Sequence, residues 1–455
     1  MDVLDILNEP IESKEQLINY FASGSKPADN WGIGTEHEKF LFDKEKLTRL
    51  TYEGSNGIKS ILSFMKEQGW SAVTENNNLI ALTKNGASIT LEPGGQFELS
   101  GRNFKNVHQT WAETLKHFDE LRTICSNFNA VSLCMGFDPL SRREDIDWMP
   151  KKRYQYMRQR MPKQGSLGLD MMSRTASIQV NLDYLDQEDM IKKMRVAQAF
   201  QPVVTALFAN SPFVEGKPNG YLSYRSRVWD DTDSERCGFL SFIFDDDFGF
   251  EKWCDYLLDI PLYFVYRDNQ FLPANNKSFR QFIDGELPWR ADMTDWEIHL
   301  STVFPDIRLK KFIEIRGADA GCAINIASLS ALWVGILYNE EILNRAYDMA
   351  MQWSVDDIST VRELVAKDGL SARANSYFVK EVATDLLNLS FEGLAKRSKI
   401  LGIENESCYL DPLFQVLNSG ITPAERHLDE YYNKWQGDLK KMVKEWPYYH
   451  PLERP

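Results

Sequence analysis

The usual phosphate and hydrolase signatures are missing from this chain. It has no G-x-x-x-x-G-K-[S/T], no G-x-G-x-x-G, no G-x-S-x-G and no H-E-x-x-H. Any nucleotide must therefore be held without a glycine-rich phosphate loop, and a nucleophile-elbow hydrolase or zinc protease is excluded. Cysteine is sparse. The six (Cys125, Cys134, Cys237, Cys254, Cys322, Cys408) are scattered, with no C-x-x-C and no cysteine–histidine spacing suited to zinc, so a disulfide scaffold is excluded and free thiols are expected. No apolar run reaches about 18 residues, which predicts no transmembrane helix. Positive charge is in deficit. A net charge of −14 excludes a general nucleic-acid binder, though not a local basic pocket for ATP or small acids. The acidic start, Met1 to Pro10, has no basic or long apolar stretch, so no targeting signal is expected and a cytoplasmic location is.

What is present suffices for a large core: 43% hydrophobic and 12% aromatic residues in a chain of 455. Ser13-Lys14-Glu15-Gln16 opens a helix that Gly24 stops. Lys84-Asn85-Gly86 between two apolar runs predicts a hairpin, because Asn-Gly tolerates positive φ at both turn positions. It leads into Glu92-Pro93-Gly94-Gly95, a sharp break in the ladder. A long amphipathic helix is expected from about Phe104 to Phe128, a strand from Ser177 to Tyr184, and a helix from about Asp186 to Asn210. Residues 211–238 are loop-like and rich in glycine and proline, a candidate lid. After about Ala323 the pattern is helical, broken at Gly369 and Gly402, with a new start at Thr422-Pro423. The fold class is α+β, with a mostly helical C-terminal third.

Chemistry gathers on acidic strand residues. Glu36 and Glu38 lie two apart in a β run, so they share a face and His37 takes the other. Glu92 and Glu98 flank the glycine turn, and Glu314 sits in Phe312-Ile313-Glu314-Ile315-Arg316. Carboxylates on one sheet face repel one another, and a hard cation such as Mg²⁺ would resolve the repulsion while bridging to nucleotide phosphates. Plainer readings stand beside this: a solvated face for Glu36 and Glu38, a structural ion pair for Glu314, a solvated helix face for the basic run Lys151 to Arg160. Arg225 and Arg227, beside Tyr224 and Trp229, are anion-site candidates because the guanidinium fork matches carboxylate and phosphate.

Six stretches carry a family resemblance: Gly-Thr-Glu-His-Glu-Lys-Phe (34–40), Leu-Glu-Pro-Gly-Gly-Gln-Phe-Glu-Leu-Ser-Gly (91–101), Gly-Leu-Asp-Met-Met (168–172), Ala-Leu-Phe-Ala-Asn-Ser-Pro-Phe (206–213), Glu-Gly-Lys-Pro-Asn-Gly (215–220) and Arg-Gly-Ala-Asp (316–319). Together they resemble the plant and proteobacterial type of glutamate–cysteine ligase, from about residue 13 to about residue 440. The resemblance implies one catalytic domain over 1–455, with a sheet-bearing part (1–322) and a helical part (323–455). It implies a glutamine-synthetase-like curved antiparallel sheet that cups Mg²⁺ and ATP, with helices outside. It implies ATP-dependent joining of the γ-carboxylate of L-glutamate to L-cysteine through a γ-glutamyl phosphate, the first step of glutathione synthesis. Matched motif by motif, Glu36, Glu38, Glu92, Glu98 and Glu314 become metal ligands. Gln179 and Asn181 line the floor, and Arg225, Arg227 and Arg316 hold substrate or phosphate. Trp111, Ala274 and Trp289 stand where plant members carry redox-switch cysteines. The expectation is therefore a bacterial cytosolic enzyme, monomeric or a weak homodimer, binding neither nucleic acid nor membrane.

Overall fold

The computed structural model describes residues 9–268 and 270–445; the acidic start read for targeting signals falls mostly outside them. Its centre is an antiparallel sheet, nine-stranded among the described residues. The strands are β1 (Ile33–Asp43), β2 (Ser71–Glu75), β3 (Asn78–Lys84), β4 (Ala87–Leu91), β5 (Phe97–Ser100), β6 (Ala130–Leu133), β7 (Ser177–Leu182), β8 (Ile307–Leu309) and β9 (Ile313–Asp319). Their order is β8-β9-β7-β1-β5-β4-β3-β2, with β6 also beside β1. The β3–β4 hairpin turns where expected, with φ of 52° at Asn85 and 86° at Gly86.

Strand alternation gives the sheet two different faces. Ile178, Val180, Leu182, Ile313 and Ile315 are fully buried on the back, in the main core. Helices α1 (Lys14–Ala22), α2 (Ile58–Glu67), α3 (Val107–Asn127), α4 (Lys152–Arg160), α5 (Gly168–Arg174), α6 (Gln187–Leu207), α7 (Tyr224–Asp230), α8 (Ala323–Leu337), α9 (Val355–Asp368), α10 (Val379–Leu401) and α11 (Pro423–Asn433) surround it. Of these, α3, α6 and α8 pack behind the sheet. Nearly every residue of α8 is buried, as expected of a helix apolar all round. The same core runs from Ile11 to Leu417, with no division near residue 322. No single helix among the described residues is long and apolar enough to cross a membrane.

The helix boundaries follow the sequence signals. Asn106 and Asp186 cap α3 and α6 with their side chains, and Thr422 forms a capping box on α11 with Pro423 in the first turn. Gly369 and Gly402 end α9 and α10 at positive φ. The stretch 211–238 differs from its loop-like reading. Ser223 caps α7, and the backbone N–H groups of Leu222 and Ser223 both donate to the Ala366 carbonyl, at 2.9 Å each. Arg225, Ser226 and Val228 are buried. In this structure the segment is docked onto the body of the protein by these contacts.

Candidate active site

The front of the sheet is left open by the back-side helices and is roofed by α4, α5 and α7. Between roof and sheet lies a cavity with two unlike walls. Glu36, Glu38, Glu92 and Glu98 line one side; Arg225, Arg308, Lys310 and Arg316 line the other. Arg153, Tyr154, Met171, Trp229 and Phe304 fill in between.

The acidic wall comes from register. Glu38 pairs with Glu98 across β1 and β5, and Glu36 pairs with Gln179 across β1 and β7. The three strand carboxylates are oriented by neutral donors. Asn181 Nδ2 donates to Glu36 at 3.0 Å, the Ser177 backbone and hydroxyl donate to Glu38, and the Ser100 and Thr90 hydroxyls donate to Glu98 at 2.8 and 3.1 Å. Burial raises the pKa of Glu38, and Glu98 and Glu92 add to it. Burial likewise raises Glu98, with Glu36 and Glu92 contributing. Glu92 enters from the Pro-Gly-Gly turn. That turn is clamped: Arg49 donates to the Gly94 carbonyl at 2.7 Å, and the Gln96 amide donates to the Met172 and Thr175 carbonyls at 3.2 and 2.8 Å. A side chain on Gly94 would run into the Ser173 backbone, so only glycine fits.

The basic wall is organised around Glu314. This carboxylate is fully buried and accepts hydrogen bonds from Arg308, from Lys310 at 3.1 Å and from Arg316 at 2.9 Å. Burial alone would raise its pKa; the three cations hold it well below the usual carboxylate range. Arg316 also donates to Gln179 at 2.7 Å, which joins the two walls. Arg225 donates to the Arg316 carbonyl at 2.8 Å, and its own backbone N–H bonds Ser211, whose hydroxyl is held by buried Asp319.

The structure therefore divides the sequence candidates. Glu36, Glu38, Glu92, Glu98, Gln179, Arg225 and Arg316 meet in one cavity. Asn181 reaches it through Glu36, and Glu314 lies beneath its basic side. Arg227 does not line it: two residues from Arg225 on a helix, it points elsewhere and faces Asp231 at 3.5 Å. His37 lies on the back face against His117, as the strand period requires. Arg308, Lys310 and Trp229 join the cavity without having been named as site residues, and Arg153 joins it from the basic run Lys151 to Arg160, which in the sequence reads as a phosphate contact as well as a solvated face. For Arg308 and Lys310 the signal was there, since both share the parity of Glu314 and Arg316 around the turn at 311–312.

No three His, Cys, Asp or Glu side chains among the described residues are gathered as a ready metal-ligand set. The donor chemistry of the acidic wall still suits a hard cation: all oxygen, partly buried, and gathered on one side of the cavity.

A family model, "Glutamate-cysteine ligase family 2(GCS2)", matches residues 32–445. The chain is 45% identical over 444 residues to the chloroplastic glutamate–cysteine ligase B of Oryza sativa subsp. japonica, covering 96% of this chain and 88% of that one. It is 44% identical over 445 residues to the chloroplastic glutamate–cysteine ligase of Medicago truncatula, covering 97% and 86%. In fold it resembles a glutamate–cysteine ligase from Francisella tularensis solved in complex with AMP, with a TM-score of 0.53 at 15% identity, covering 93% of this chain and 90% of that one. These curated relatives are chloroplastic plant proteins, which overturns the expectation of a cytoplasmic location. An antiparallel sheet with helices outside, an acid-and-base cavity and these likenesses agree: the chain belongs to glutamate–cysteine ligase family 2 and is an enzyme of that class.

Proposed function

We propose that the cavity joins the γ-carboxylate of L-glutamate to the amine of L-cysteine at the expense of ATP, through a γ-glutamyl phosphate. The observation that carries this reading is the facing of an acidic and a basic wall within one cavity. A carboxylate acylates amines poorly because its oxygen leaves badly, so it must first be phosphorylated. That step needs the carboxylate aligned with the terminal phosphorus and the phosphate charge neutralised from two sides.

The residues divide the work. Arg225, Arg308, Lys310 and Arg316 form a cationic surface for phosphate and substrate carboxylate. Glu36, Glu38, Glu92 and Glu98 would hold Mg²⁺, which when bound neutralises phosphate oxygens. Glu314 joins that set only by releasing one of its three cations to the incoming phosphate. Gln179 spans the walls and keeps Arg316 oriented. Trp229, Phe304 and Met171 exclude water, which would otherwise hydrolyse the acyl phosphate. The deprotonated amine of cysteine then attacks the acyl carbon, and phosphate leaves. All of these groups come from one chain, so the reading needs no partner subunit.

Phosphate release is the direct test. It is expected only when glutamate, cysteine, ATP and Mg²⁺ are all supplied, with γ-glutamylcysteine formed in equal amount. Release independent of the two amino acids would reduce the site to nucleotide hydrolysis. Ligation to other amines with cysteine absent would change the acceptor.

A further inference from the structure

A second cavity, about 500 Å³ in volume, opens on the back of the sheet, between α3 and the β3–β4–β5 edge. The ligation reaction makes no use of it. We propose that this cavity is a second ligand site, for a small carboxylate with an apolar aromatic or acyl body.

The size lies within the range of about 300–1,000 Å³ usual for small-molecule sites, and apolar surface predominates on the walls between charged and polar side chains. Trp70, Leu99, Phe104 and Ala112 supply the apolar surface. The charges around it are unevenly matched. Arg102 is already taken, donating to Glu113 from its backbone at 3.0 Å and from Nε at 3.1 Å while lying over the Phe104 ring. Lys84 has only the Gln68 carbonyl at 2.9 Å and the Trp70 ring at 5.6 Å. Lys116, one turn along α3, also lines the cavity. Neither lysine forms a direct ion pair among the described residues, although Glu113 and Glu120 lie within electrostatic reach of Lys116, so a ligand carboxylate would bring a direct counter-charge. Glu120 lies within reach of both lysines without bonding either directly, and burial raises its pKa while the lysines lower it.

The inner end holds a further unsatisfied group. His117 is 2% exposed; its Nε2 lies 3.1 Å from Lys39 Nζ, and its Nδ1 has no partner in the protein. A buried polar atom left unpaired costs about 1–3 kcal/mol, so such atoms mark places where something else binds.

Isothermal titration of the full chain with 3-phenylpropionate and with octanoate, each beside its neutral amide, tests the site. Each acid that binds is expected to do so at least about tenfold more tightly than its amide. Binding by the aryl acid alone, the acyl acid alone or both identifies the body the walls accept, and each supports the site. Lys84→Gln with Lys116→Gln should weaken binding at least about tenfold. Ala112→Trp, placed on an exposed rim position, should abolish it by filling the cavity. Arg225→Ala should leave it intact, which separates this site from the catalytic cations. No binding of either acid up to the low millimolar range overturns the proposal. So does equal binding of acid and amide, or loss of binding in Arg225→Ala alone.

Discussion

Glu38 on β1 stands directly across the ladder from Glu98 on β5, two carboxylates on one buried face. Like charges in that position destabilise a sheet. On the proposed function, the pair is kept because its charge would meet the arriving cation and substrate. Replacing Glu38 with Gln removes the charge repulsion between the two. The melting temperature in EDTA should equal or exceed that of the unaltered chain, while turnover falls at least about 100-fold. A near-normal rate at low Mg²⁺ would remove Glu38 from the metal set.

Glu314→Gln should behave in the opposite way. It strips three buried cations of their shared counter-charge. Removing one partner from a buried ion pair costs about 3–5 kcal/mol, and a loss of that order is expected in urea unfolding. Equal stability of Glu314→Gln and Glu38→Gln would contradict the division into two walls.

Magnesium should stabilise the folded chain. By linkage, a ligand at 100 times its Kd adds about 2.7 kcal/mol. A rise in melting temperature on adding Mg²⁺, reversed by EDTA and absent from a Glu38→Gln/Glu98→Gln double variant, is the expected pattern. An unchanged response in the double variant would place the cation elsewhere.

Arg225 and Arg227 offer a paired comparison on one short helix. Arg225→Ala should raise KM for glutamate or ATP about tenfold or more, because a buried guanidinium facing the cavity is lost. Arg227→Ala should leave both KM values within about twofold, since its exposed pairing with Asp231 contributes little. Steady-state kinetics of the two variants, measured side by side, decide this.

Acid sensitivity should trace partly to His299. Buried under α-helical packing with its Nε2 at 2.8 Å from the Leu257 carbonyl, its pKa is pushed down by burial to about 3. The unfolded chain takes up that proton near pH 6.5. Between those values the unfolded state binds more protons, so this group's contribution to stability falls as pH drops below about 6.5. His299→Gln should flatten the decline in melting temperature between pH 6.5 and 4.

Much of this molecule is legible in its sequence. The Asn85-Gly86 hairpin, the glycine stops at 369 and 402 and the capping residues Asp186 and Thr422 act within a few residues, so local chemistry alone places them. Strand parity likewise determined that Glu36 and Glu38 share a face and that His37 leaves it. The family motifs named the glutamate–cysteine ligase family. Tertiary structure decided the rest, because it depends on register between strands far apart in the chain. Only the pairing of β8 with β9, and of β9 with β7, brings Arg308 and Lys310 onto Glu314 and sets that group opposite the acidic wall. Only the helical turn at Tyr224–Asp230, held by Ser223 and Asp319, sends Arg225 inward and Arg227 outward. A carboxylate's role depends on which charges meet it in space, and sequence spacing does not carry that information across hundreds of residues.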